Sequence, residues 1–144
     1  MIKAIDRRII DFIQDHHILT LAVTNGVHPW CATCFYVYNE SENLFIFTSE
    51  DDTWHISYVE ETKNFHAAGA IALETKMIGK IRGIQFSGIL RRLTGKELVT
   101  ARKQYLGKFP VARFSKLFLW GIEPSLIKMT DNRLGFGKKI FWQS

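Results

Sequence analysis

Cysteine, histidine and hydroxyl side chains are where chemistry could begin in this chain, and three groupings invite it. Cys31-Ala-Thr-Cys34 has the CxxC spacing of zinc sites and thiol redox centres, with His28 close by. The surrounding residues read as a strand, however, whose side chains alternate faces, so a separation of three sends the two sulfurs to opposite sides. No second CxxC and no thioredoxin-like βαβ pattern accompanies the pair. We therefore expect buried structural thiols and no metal site. The five histidines, at 16, 17, 28, 55 and 66, show no metal spacing such as HExxH. His16 and His17 close a helical pattern, where the helix dipole alone favours a cation.

His55 differs. It falls in the first turn of an expected helix, just past Thr48, Ser49 and Thr53. Hydroxyls, free backbone N–H groups at a helix start and an imidazole together suit a phosphate. Glu50, Asp51 and Asp52 work against an anion unless they point away, and they serve equally well as helix caps. No nucleophile elbow, P-loop, dinucleotide glycine fingerprint or Ser/His/Asp signature appears, and spacing nominates no acidic pair for acid–base work.

These groups must be positioned by the stretch from Trp30 to Ser49, which reads as two strands joined by a polar loop at 39–43. The first of them, Trp30 to Tyr38, is apolar or small on both faces rather than alternating, so both faces should be covered. One cover is the protein's own core. The other is a helix, a partner subunit or a flat ligand.

Taken in order, Lys3 to Asp15 shows helical spacing of Ile2, Ile5, Ile9, Phe12 and Ile13. Ile18 to Thr24 is a strand, followed by the hairpin signal Asn25-Gly26 and a returning strand from Val27 to Tyr38. Leu44 to Ser49 makes a third strand, a capped helix runs to about Glu61, and Phe65 to Leu73 is a strand of small residues. Lys80 to Leu93 is a long strand bent at Gly83 and Gly88. Thr94 and Glu97 form a capping box for a helix to about Leu106. Leu117 to Ile122 and Leu126 to Met129 are short strands separated by Pro124. The fold class is thus mainly β with peripheral helices: a small antiparallel barrel of six to eight strands with three helices, in one domain over residues 1–144.

Hydrophobic content of 47% supports a real core, and no apolar run approaches the ~20 residues of a membrane helix. The first residues lack a signal peptide's apolar segment, and from this we expect a cytoplasmic protein with no membrane partner. A net charge of +5 favours an anionic partner, but the basic residues look dispersed, with only Arg7-Arg8, Arg91-Arg92 and Lys138-Lys139 as pairs.

The order helix, strand, NG turn, HPWCATCFYVY, LFIFTS, helix, small-residue strand and IRGIQFSG resembles the pyridoxamine 5′-phosphate oxidase-like FMN-binding split β-barrels over nearly the whole chain. IRGIQFSGILRRL, ARKQYLGKFPVAR and TDNRLGFGKKIFW resemble the YhbP-like branch in particular. The resemblance implies a homodimer with FMN at the interface. It places Trp30, Cys31, Ala32 and Thr33 along the flavin, Thr48, Ser49, Thr53 and His55 at its phosphate, and Gln85 at the ring. Trp120, Lys138 and Lys139 would complete the site from the partner. The chain departs from the family in carrying Trp54 and His55 where flavin-binding members usually have Arg or Lys.

Three functions follow. The first is a flavin-dependent oxidoreductase acting on a small molecule. The second is a non-catalytic flavin- or haem-binding module, with His55 or His66 as the iron ligand. The third is a nucleic-acid-binding barrel, which lacks the basic–aromatic interleaving that role needs.

Overall fold

The computed structural model describes residues 4–144. Helix α1 (Arg7–Asp15) buries Ile9, Ile10, Phe12 and Ile13, the face the spacing marked. It begins only after Asp6, whose carboxylate accepts from the Arg8 amide at 2.9 Å. The helix start expected at Lys3 lies outside the described residues.

Seven strands follow among the described residues: β1 (Ile18–Thr24), β2 (Pro29–Asn39), β3 (Leu44–Thr48), β4 (His66–Ala72), β5 (Arg82–Arg92), β6 (Leu119–Asp131) and β7 (Lys139–Gln143). Helix α2 (Trp54–Thr62) follows β3, and α3 (Gly95–Lys108) links β5 to β6. The sheet order is β3-β2-β1-β4-β5-β6-β7, all neighbours antiparallel, and β3 also pairs with β6. Six strands therefore close into a barrel and β7 adds outside it. Phe45 and Phe86 stack across the interior at 4.2 Å, and Ile56 and Val59 of α2 join the same core.

The hairpin after β1 is wider than its NG signal suggests. Gly26 takes φ +92°, but the loop spans four residues because the Asn25 side chain accepts from the Val27 and His28 amides at 2.9 and 2.7 Å. β2 accordingly starts at Pro29.

The two final strands expected around Pro124 are one strand, β6. β3 pairs with β6 as far as Ile122 and β7 from Leu126, so Pro124 lies between its two partners on that side and its missing N–H breaks no ladder. On the other side it opposes Gly88, where the register slips at a bulge. A Cβ on Gly88 would sit 2.2 Å from the Glu123 carbonyl oxygen, so only glycine fits.

The capping box is not formed. Thr94 makes no side-chain cap, because Gly95 immediately adopts φ +60°, and Glu97 turns instead to a forked ion pair with Arg91.

Candidate cofactor-binding site

β3 leaves β2 early. Its pairing with β2 covers only Tyr36 to Asn39, so from Trp30 to Phe35 β2 is bonded to β1 on one side and, among the described residues, has no strand on the other. The Tyr36 amide donates to the His17 carbonyl on the β1 side at 3.0 Å. By alternation the peptide groups of Cys31, Thr33 and Phe35 point to the free edge. The Phe35 carbonyl there accepts from the Tyr105 hydroxyl at 3.5 Å. Those of Cys31 and Thr33 offer a donor and an acceptor each to whatever lies alongside.

Beside this edge, the turn from β3 to α2 gathers three polar side chains. Ser49 Oγ lies 3.4 Å from Thr53 Oγ1, Thr53 Oγ1 lies 3.3 Å from His55 Nε2, and Ser49 and His55 make a direct hydrogen bond. Burial holds the His55 pKa below its usual value, so at neutral pH the ring is uncharged. Thr53 is the cap residue of α2, yet its hydroxyl donates back to the Glu50 carbonyl at 2.9 Å and accepts from no backbone amide of the first helical turn. The cluster offers hydroxyls, an imidazole and open helix-start amides, a donor set suited to a phosphate but lacking a cation. Arg92, drawn to this end by Asp51 at 2.5 Å, is also 4.0 Å from Glu60.

Trp54 stands outside the residues expected to bind a cofactor. It is 61% exposed and packs on the half-exposed Trp30 at 4.7 Å between ring centroids, giving the mouth of the cleft an aromatic wall. The signal available in the sequence was a tryptophan in the first turn of a helix, a position where solvent exposure is the usual outcome.

The remaining expected site residues lie elsewhere. Thr48 spends its hydroxyl on the Phe118 amide at 3.2 Å, closing the barrel. Gln85 is exposed on the outer face in register with Ala70, which pairs with Thr20, which pairs with Thr33. Three strand spacings, roughly 14 Å, thus separate Gln85 from the free edge. Trp120 is 1% exposed inside the core, its indole N–H unpartnered and the Arg92 guanidinium 4.7 Å over its ring, so it offers no surface to a second subunit. Lys138 and Lys139 are exposed at the far end of β6: Thr48 pairs with Leu119, Lys139 with Thr130. The eleven residue steps from Leu119 to Thr130 span roughly 35 Å of strand.

The CxxC sulfurs do face opposite ways. Cys34 is buried, its thiol pushed up to about 11 by desolvation, but Cys31 is exposed rather than buried. The second cover expected over β2 is present only toward its C-terminal end, where Val37 packs against the α3 cluster and Phe35 meets Phe109 edge-on at 5.5 Å; Cys31 and Thr33 face out uncovered. Cavities of about 370 and 580 Å³ lie elsewhere, against α3 and beside α1, and involve none of these residues.

A closed six-stranded antiparallel barrel with one added strand, three helices and a strand edge left open beside a polar turn defines a split-barrel protein. The chain belongs to the UPF0306 family. It is 43% identical over 132 residues to a UPF0306 protein of Photorhabdus laumondii, covering 92% of this chain and 91% of that one. It is 39% identical over 131 residues to one of Yersinia pseudotuberculosis, covering 91% and 88%. No protein-family model matches. Among solved structures, a heme binding protein from Mycobacterium smegmatis superposes with a TM-score of 0.75 at 17% identity, over 92% of this chain and 56% of that one. A FAD-binding protein from Mesorhizobium loti gives 0.67 at 10% identity, over 90% and 95%. A putative pyridoxamine 5′-phosphate oxidase from Listeria innocua gives 0.61 at 12%, over 84% and 91%. At these identities the likeness is one of fold. Among the described residues no helix is long and apolar enough to cross a membrane.

Proposed function

We propose that this protein is a homodimer that binds FMN along the free edge of β2 and uses it as an oxidoreductase on a small molecule. The observation that carries the reading is the open edge at Cys31 and Thr33, joined through the Trp30–Trp54 contact to the start of α2, where the Ser49–Thr53–His55 cluster sits. Peptide groups on that edge suit the amide-like rim of a flavin, and the cluster with the first amides of α2 suits its phosphate. Bound there, the flavin would supply hydride or electron transfer, while the chain binds and orients it. Solved structures of like fold described as FAD-binding and as a putative pyridoxamine 5′-phosphate oxidase support a flavin.

The dimer supplies what one chain lacks. The outer face of the sheet exposes Ile18, Phe35, Ile89, Leu126 and Phe141 around the small residues Thr20, Ala22, Ala68 and Ala70, an apolar area a second copy would cover. Gln85, Lys138 and Lys139 are too far from the chain's own cleft and serve that of the partner, where the lysines add the missing positive charge.

The test is an absorbance spectrum of the purified protein with and without added FMN, followed by a titration. We expect flavin uptake, weakened about tenfold in Ser49→Ala through loss of one phosphate hydrogen bond, and severalfold in His55→Gln, which releases the Ser49 hydroxyl that the ring holds in place. No flavin absorbance and no binding at tens of micromolar FMN would sink the reading.

Haem is the second reading, supported by the haem-binding protein of like fold. Here one histidine is favoured: His55 Nε2 is committed to Ser49 and Thr53, whereas His66 is exposed on the outer face. A Soret band that His66→Ala removes would select this reading over FMN.

A further inference from the structure

The net charge of this protein resides in one segment. Residues 95–118 hold six of the 19 Lys and Arg and one of the 14 Asp and Glu, a balance of +5, equal to the whole chain's. The rest of the chain carries 13 of each sign and is neutral. That single acid, Glu97, is already paired with Arg91 from outside the segment. Lys108 is turned inward, donating to the His16 and Tyr36 carbonyls at 2.8 and 3.0 Å. Lys96, Arg102, Lys103, Arg113 and Lys116 are exposed and, among the described residues, none has a carboxylate partner.

The same surface exposes large apolar side chains: Val99 at 70%, Val111 at 78% and Phe114 at 77%. Arg113 lies over the Phe114 ring at 4.7 Å and Lys116 over Phe118 at 5.1 Å, so rings and cations are presented side by side. α3 and the 3-10 turn that packs against it (Pro110–Phe114) carry these groups.

We propose that this face docks on an anionic lipid surface, with Val99, Val111 and Phe114 entering the headgroup boundary and the five cations at the level of the lipid phosphates. Basic residues flanking exposed apolar ones are what an interfacial segment needs, and lying on a bilayer demands no spanning helix. A second copy seated on the same patch about a two-fold axis would set like charge against like. A nucleic acid would answer the cations but has no use for the two valines. The inference is independent of which cofactor the barrel binds.

The test is co-flotation of the full-length protein with phosphatidylcholine vesicles, with and without about one-third phosphatidylglycerol, at low and high salt. Binding is expected only with phosphatidylglycerol and is reversed by salt. The triple variant Arg102→Gln/Lys103→Gln/Arg113→Gln should partition about a hundredfold less, at roughly fivefold per cation. Its circular dichroism and elution volume should match wild type. Phe114→Ser should weaken binding severalfold while keeping the preference for phosphatidylglycerol. Equal partitioning to both vesicles, or none to either, overturns the proposal. So does displacement by a single-stranded oligonucleotide at equal phosphate, or a triple variant that has lost a self-association the wild type shows.

Discussion

His55 brings an imidazole to the polar turn without bringing a charge, and this sets how pH acts there. Its folded pKa is depressed by burial, below the ~6.5 of an unfolded histidine. Above about pH 6.5 both states are neutral and the contribution to stability is complete. As pH falls, the unfolded chain takes the proton first, so stability declines from about 6.5 down through the folded pKa. Denaturation midpoints compared at pH 7.5 and 5.5 should therefore drop more for wild type than for His55→Gln; equal drops would mean the ring titrates freely. The meeting of Ser49, Thr53 and His55 was legible in the sequence because all three lie within seven residues of one turn. Trp120 was not: its place depends on β6 pairing with β3, more than seventy positions earlier, which puts the indole in the core instead of at a subunit contact. Cys31 failed in a different way. Strand alternation correctly divided it from Cys34, but whether its face is covered depends on something beyond the chain.

Among the elements, the two long strands hinge on a single contact. Gly88 and Pro124 face one another at the β5–β6 bulge, and a methyl on Gly88 meets backbone rather than a movable side chain. Gly88→Ala should cost about 2–4 kcal/mol, read as a thermal midpoint roughly 10 °C lower; a change of a degree or two would mean the bulge can open. Thr94 gives the opposite expectation. A working N-cap is worth about 1 kcal/mol, but the Thr94 side chain accepts no hydrogen bond, so Thr94→Ala should be neutral within ~0.5 kcal/mol by urea denaturation. The capping-box spelling was correct and the geometry was not, because the glycine in the first helical position takes a left-handed backbone. Pro124 misled similarly: a proline reads as a strand break unless the neighbouring strands happen to leave that position without a partner, and sheet order is invisible to local pattern.

At the scale of the whole molecule, the run of apolar and small residues in β2 announced two covered faces, and the fold covers one fully and the other only around Val37, under α3. Cys34, Tyr36 and Tyr38 enter the barrel core, while Phe35 is left 56% exposed on the outer side, as is Phe141 at 58% across the sheet. Closing a barrel of this size uses every inward side chain, so the surplus of outward apolar groups has to meet another surface or remain wet, which soluble chains rarely tolerate over such an area. Ala70 sits near the middle of that face, in register with Thr20 on one side and Gln85 on the other. An arginine there points away from the core and leaves the barrel intact, yet it sets a charge at the centre of the proposed contact, where a buried unpaired cation costs several kcal/mol. Sedimentation of wild type at twice the chain mass of 16.7 kDa, and of Ala70→Arg as a monomer that has also lost FMN uptake, is the expected outcome. A variant that stays dimeric would move the subunit contact off this face; a monomer that still binds FMN fully would leave the contact in place and remove the partner's residues from the cofactor.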